Sequence, residues 1–397
     1  MSSAGATRPT PRVRTRALTP AGIKDATRQV LAITAFGAFP AIVVLAIVVA
    51  LTTHRSYASD ADFRAFWSAG RAVLHGRSPY PQPDPSLLVR GTSFVYPIPA
   101  AYAMVPFALL PFDLAATLFA FLLIAAIPLA LRLVGVRDWR CYGIAILSEP
   151  VVQSLEVGAV TPLLMLGVAL IWRYRDRRWA GAAALAGVIV LKIFLWPLLL
   201  WFALTRRFAT AVAAAGLIAI STLGAWSVLG FDGLLGYPHL LQTLSTVLGG
   251  KGYSLRALGL SLGSSPEVAA VLPWVIGGTA LVLVALRSKR PDTEQSTFTV
   301  AIAASLALSP IVWLHYFALL FVPVALKAPR FSPLWALPLA FWAVSGNSVG
   351  RPLWQAQPTL SDASRISTIG SAPLIAYTLA VAIALLGLTM RLRPARA

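Results

Sequence analysis

Asp60 and Asp62 stand at the head of a segment, residues 60–80, that carries both carboxylates, a cluster of aromatics and several basic side chains. It comes directly after the first membrane-length apolar run, about residues 31–51. A carboxylate just outside a bilayer, at the start of an amphipathic helix, can take a proton from a substrate hydroxyl, which is general base chemistry. The same placement suits a cap. With Ser59 as N-cap, Asp62 falls at the third position of a capping box, and acids near a helix start also suit the helix dipole. Both uses stay open. The spacing puts Phe63, Phe66, Trp67, Gly70 and Leu74 on one side and Arg64, Ser68, Arg71 and His75 on the other. Such a helix lies along a membrane surface, and Gly76 ends it.

Other polar groups are scattered among apolar residues. Lys192 interrupts an apolar run, where a charge costs at least ~2.5 kcal/mol unless it meets water or a partner. It either snorkels to the interface or binds an anion. His315, within Ser309-Pro310-Ile311-Val312-Trp313-Leu314-His315-Tyr316, is either a satisfied core residue or a phosphate or hydroxyl contact. Glu149, Gln153 and Glu156 share one helical side, with Pro150 suited to a first turn. They read as a solvated loop or as a sugar-binding face. Lys251 and Arg256 flank glycines 249, 250 and 252, a basic loop able to cradle phosphate although it matches no P-loop. Trp67, Tyr80, Tyr96 and Trp313 are aromatic candidates for contact with substrate. With four histidines and no zinc spacing, no metal site is expected.

These residues must be positioned by membrane helices. The 397-residue chain is 58% hydrophobic and 12% charged, about half the charge of a soluble protein. Continuous apolar runs recur to the C-terminal end, which predicts an all-α polytopic membrane protein rather than a β-barrel. The net charge of +19 invites a nucleic-acid partner. That is rejected, because the charges sit in short loops between apolar runs, as the positive-inside rule requires. The single cysteine, Cys141, excludes an intramolecular disulfide. Residues 1–29 read as a disordered basic cytoplasmic tail, 30–392 as one membrane domain, and 393–397 as a second cytoplasmic tail. The run at 31–51 is too long for the ~7–15-residue core of a signal peptide, so it is expected to stay as the first helix.

Charge then sets the topology. Basic clusters at 132–140, 173–178, 206–207, 287–290, 327–330 and 391–396 are expected inside, with both termini, and residues 52–95 outside. Residues 180–204 separate two inside clusters, and a single crossing cannot leave both ends inside. A hairpin can, with its tip near Lys192 and Pro197. The same reasoning predicts hairpins over 141–172 and 298–326, so three polar tips point outward. Outer loops are expected at about 230–257 and 346–365. Residues 96–112, with four prolines, read as re-entrant or as a short hairpin. In all, about ten to twelve membrane helices are expected.

The pattern D-F-x-x-F-W-x-A-G-x-x-x-L-x-G-x-x-P-Y, Asp62 to Tyr80, resembles the opening motif of the glycosyltransferase 87 family. Three further stretches are similar: Phe94 to Pro99, Gly181 to Pro197 with Lys192, and Ser309 to Tyr316. The family's frequent Gly-Gln and Lys-Pro pairs read Gly158-Ala159 and Lys192-Ile193 here. The resemblance implies a C-type glycosyltransferase fold and a sugar, mannose foremost, passed from a polyprenyl-phosphate donor to a glycolipid or glycan acceptor. It implies inversion, with Asp62 rather than Asp60 as general base and Lys192, His315, Arg64 or Arg256 on the donor phosphate. It implies no cofactor, a monomer in the cell membrane, and a site on the extracytoplasmic side. The rival expectation is a transporter or flippase of a lipid-linked or small sugar.

Overall fold

The computed structural model of the chain describes residues 20–53, 61–81, 84–88, 93–250 and 252–344. Asp60, Lys251, the loop at 346–365 and the C-terminal tail lie outside these residues. Every regular element among those described is helical. The first two helices, α1 (Pro20–Ile33) and α2 (Phe39–Thr53), join through one π-helical turn into a long apolar rod. α1 begins at Pro20, inside the stretch read from sequence as a disordered tail. Its Val30 and Leu31, with Ile42 and Leu45 of α2, are more than half exposed. This rod therefore presents an apolar face to lipid rather than to the core.

Past the rod, α3 (Ala61–Leu74) runs on to a short α4 (Pro85–Leu88), and α5 (Ile98–Ala103) and α6 (Val105–Ala108) come next. α5 and α6 are six and four residues long, too short to cross a bilayer. They pack beneath α3, so the proline-rich stretch is a cap and leaves the topology of the later helices unchanged. α3 buries Phe63, Phe66, Ala69, Gly70 and Val73. Leu74, expected on that face, is 45% exposed. A period of 3.6 residues carries the buried stripe from 66 to 70 and 73, past Leu74.

The bundle proper begins with α7 (Phe112–Leu133). Next come α8 (Trp139–Leu147), α9 (Glu149–Glu156) and α10 (Thr161–Tyr174), then α11 (Arg178–Leu191) and α12 (Pro197–Leu204). α13 (Phe208–Val228) leads to the short α14 (Tyr237–Leu248) and α15 (Leu255–Ser261), and α16 (Pro266–Arg287) returns to α17 (Glu294–Leu308). α18 (Phe321–Lys327) and α19 (Phe341–Val344) complete the described chain. Among the described residues, four helices are long and apolar enough to span a membrane, within Lys24–Val49, Phe112–Leu133, Phe208–Val228 and Pro266–Arg287. Shorter apolar helical stretches lie within Thr161–Tyr174, Arg178–Leu191, Ile193–Leu204 and Leu314–Lys327.

An ionic cluster shows how the hairpins are arranged. Arg207 donates from Nε and Nη2 to Asp176 Oδ1 at 3.0 and 2.6 Å, and its Nη2 also bonds Glu294. Arg175 Nε pairs with Glu294 Oε1 at 3.1 Å. The end of α10, the end of α12 and the start of α17 therefore meet on one face. A 14-residue helix is ~21 Å long, so α11 and α17 carry their far ends, Lys192 and Ser309, well away from that face. The core between is dense with Phe119, Leu123, Leu164, Val168, Trp201, Phe298 and Phe321, all at most 1% exposed. α10 and α11 pack closely because Gly167 has no side chain; a Cβ there would lie 2.2 Å from Val188 Cγ1.

Candidate active site

Each hairpin breaks for a local reason, and two of the breaks supply a polar side chain, Lys192 and Ser309. α11 stops at Lys192, whose extended backbone (φ −156°, ψ 109°) leaves the helix. One 3₁₀ turn, Ile193–Leu195, intervenes before Pro197 opens α12 at the position where a missing N–H costs nothing. α17 stops at Leu308, because Pro310 cannot continue it. The stretch beyond it is held by the Tyr253 N–H, which donates to the Val312 carbonyl at 2.7 Å. α9 ends at Val157, and Gly158 turns the chain with φ +66°.

The α9 end fixes the first-loop acid. The N–H groups of Asp62 and Phe63 donate to the Val157 carbonyl at 3.0 and 3.4 Å. Ser59, the cap residue of the capping-box reading, lies outside the described residues; the Asp62 N–H is committed to the end of α9. The Asp62 side chain is free for other work. It accepts a hydrogen bond from the Tyr96 hydroxyl at 3.3 Å. Tyr96 is itself clamped, since the Tyr80 hydroxyl donates to its carbonyl at 2.8 Å and the Tyr237 hydroxyl to the Val95 carbonyl at 3.2 Å. Desolvation pushes the Asp62 carboxyl above the usual aspartate range, opposed by the Lys192 charge and the Tyr96 hydroxyl.

Asp62, Tyr96, Lys192, Ser309, Trp313 and Tyr316 line one cavity of about 370 Å³. The rest of its wall is largely apolar, from Leu88, Leu244, Leu248, Leu308 and Trp274. Trp274 is also 67% exposed on a membrane-length helix, so the cavity reaches the lipid-facing surface. Lys192 is only 6% exposed, and its Nζ has no hydrogen-bond partner. The ammonium lies 3.9 Å from the ring centre of Tyr316 and 5.1 Å from that of Tyr96.

The other sequence candidates divide. His315 is buried behind this wall: its backbone N–H donates to Gln153 Oε1 at 3.1 Å and Nδ1 meets the same oxygen at 3.3 Å. With Nδ1 protonated, Nε2 keeps a lone pair and has no partner. The ring lies 4.9 Å from that of Tyr316. Gln153 therefore serves as a bracket for His315. Glu149 and Glu156 sit on the same helix, Glu149 at 2% exposure, so the solvated-loop reading fails for Glu149. Arg64 lies over the Phe112 ring at 4.2 Å and Trp67 Nε1 donates to the Leu110 carbonyl at 3.3 Å. Arg64 thus packs on the start of α7 and Trp67 on the end of the cap, and neither lines the cavity. Arg256 Nη1 donates to the Ser245 carbonyl at 3.1 Å, closing the end of α14. Tyr316 and Ser309 were not singled out from sequence; the signal was their place at the two ends of the Ser309–Tyr316 motif. Among the described residues, no three of His, Cys, Asp or Glu gather as metal ligands.

The family model of glycosyltransferase family 87 matches residues 94–312. The chain belongs to that family. The glycosyltransferase 87 match starts at the stretch that carries Tyr96 and ends at Val312, so it covers Lys192 but neither Asp62 nor His315 and Tyr316. An all-helical, multi-pass membrane architecture of this kind is consistent with the C-type glycosyltransferase fold typical of the family. No curated protein matches the chain, and no solved structure does.

Proposed function

We propose that this family member transfers a sugar, mannose foremost, from a polyprenyl-phosphate donor to a hydroxyl of a glycolipid or glycan acceptor, on the extracytoplasmic side of the cell membrane. The reading is carried by one observation: a carboxylate, Asp62, and an ammonium without a hydrogen-bond partner, Lys192, share a cavity that reaches the lipid-facing surface. The acceptor oxygen attacks the anomeric carbon from the face opposite the leaving group. Asp62 takes the hydroxyl proton as the new C–O bond forms. The old C–O bond breaks, and its electron pair leaves on the polyprenyl phosphate. The Lys192 ammonium offsets the charge that develops there. One displacement inverts the anomeric centre. The apolar wall, ending at Trp274, suits the isoprenoid chain.

The test is reconstitution of the purified chain in liposomes with one polyprenyl-phosphate sugar at a time and envelope glycolipids as acceptors. Mass spectrometry should find a glycolipid heavier by one sugar, together with released polyprenyl phosphate. Movement of a sugar across the bilayer with no new covalent product would establish the transporter reading instead.

A further inference from the structure

A buried ammonium is ordinarily held by a carboxylate or by carbonyls. Lys192 is held by neither. Its Nζ has no acceptor, although the Asp62 carboxylate lines the same cavity. What surrounds it is aromatic: the Tyr316 ring at 3.9 Å and the Tyr96 ring at 5.1 Å, with His315 beyond Tyr316. The Tyr96 hydroxyl is spent on Asp62, so this one residue touches the carboxylate with its tip and the cation with its ring. The Tyr316 ring is itself fixed. Phe194 stacks on it with centroids 5.0 Å apart and planes within 14°, and the Tyr316 N–H donates to the Trp313 carbonyl at 3.0 Å. Phe194 lies two residues after Lys192, in the 3₁₀ turn that breaks the helix. The same break therefore provides the cation and the plate that steadies its aromatic seat.

We infer that Tyr316 is a positioning residue whose ring face keeps the Lys192 ammonium in the cavity and apart from Asp62, with its N–H donors uncommitted. A ring attracts a cation through its quadrupole without accepting an N–H bond. A carboxylate partner would occupy a donor and cancel the charge. On the ring, the N–H groups remain available to phosphate oxygens, and Asp62 remains available as a base. Without the ring, the nearest anionic acceptor lining the cavity is Asp62. Ammonium and carboxylate would then pair, and an incoming phosphate would have to separate them. The apparent affinity falls by the fraction of molecules left competent. The inference rests on the glycosyl-transfer reading for its ligand, but the ring's effect on Lys192 can be read without any ligand.

The experiment uses the full chain in nanodiscs, with position 316 altered as Tyr316→Phe and then with mono-, di- and trifluorinated phenylalanine. Fluorine weakens the ring quadrupole while nearly keeping shape. Farnesyl phosphate binding, referred to Tyr316→Phe, should weaken stepwise with each fluorine, by about tenfold across the series. A fold-preserving packing role would leave the series flat, and a flat series in a chain that binds farnesyl phosphate overturns the inference. A second measurement needs no ligand. In the structure of Tyr316→Leu, Lys192 Nζ should move onto the Asp62 carboxylate; an unmoved ammonium also overturns it. If the wild-type chain binds no farnesyl phosphate while Lys192 moves as expected, the inference stands and the phosphate reading of the cavity fails.

Discussion

Gly158 has no room for a side chain because Phe63 occupies the space: a Cβ on Gly158 would lie 2.6 Å from the Phe63 Cβ. Phe63 is the neighbour of Asp62, whose N–H is fastened to Val157. The glycine thus lets α3 and the end of α9 approach closely enough to seat the carboxylate. Its φ of +66° adds to the requirement, since a left-handed residue with a Cβ costs ~1–2 kcal/mol.

Gly158→Ala should therefore push α3 off Val157 and lower transfer at least tenfold per folded molecule. Gly187→Ala is the control, because nothing lies within 4 Å of a Cβ there. It should keep or slightly raise the melting temperature, since alanine suits a helix interior better than glycine, and leave activity unchanged. Equal behaviour of the two variants would remove the seating role given to Gly158.

Asp62→Asn should reduce transfer ~10²–10⁴-fold without loss of stability at neutral pH. The sign comes from burial. The folded carboxyl titrates above its ordinary range, so the folded state binds this proton more tightly than the unfolded chain. Ionising Asp62 then costs stability as pH rises through the raised value. The wild-type rate should rise with pH through a midpoint above ~3.9, the ordinary aspartate value. Rate–pH profiles and melting curves of both proteins check this, and a markedly less stable Asp62→Asn would contradict the burial argument.

Arg207→Ala should lower stability by about 1–3 kcal/mol and leave turnover per folded molecule near that of wild type. Arg207 joins Asp176 and Glu294, on the face opposite the cavity. These side chains are partly exposed, so the loss should shrink at high salt. Thermal unfolding at low and high ionic strength measures it, and a salt-independent loss would point to packing rather than charge.

Labelling decides the orientation. In a Cys141→Ala background, Arg77→Cys should react with a membrane-impermeant maleimide added outside the cell, and Lys289→Cys only after permeabilisation. Both positions are exposed in the structure. The reverse pattern would turn the molecule over and place the cavity on the cytoplasmic side.

Membrane location, helical class and the three hairpins were legible from the sequence because they depend on local quantities: length of apolar runs, charge at their ends and the prolines that break them. The tip residue Lys192 was legible too, since a lone charge in an apolar run is costly wherever it points. The family was readable from four motifs in order. What the tertiary structure alone decided was which of these groups share a cavity. Asp62 is seated by bonds that no spacing records, its N–H on the Val157 carbonyl and the Tyr96 hydroxyl on its carboxylate, while Asp60 lies outside the described residues. Arg64 and Arg256 are cations of the right kind in the right segments, yet packing on Phe112 and bonding to Ser245 take them out of the cavity. Tyr316 carried no charge to draw notice. Its importance comes from contact with a residue more than a hundred positions away, which no periodicity records because cavities are made by non-local packing.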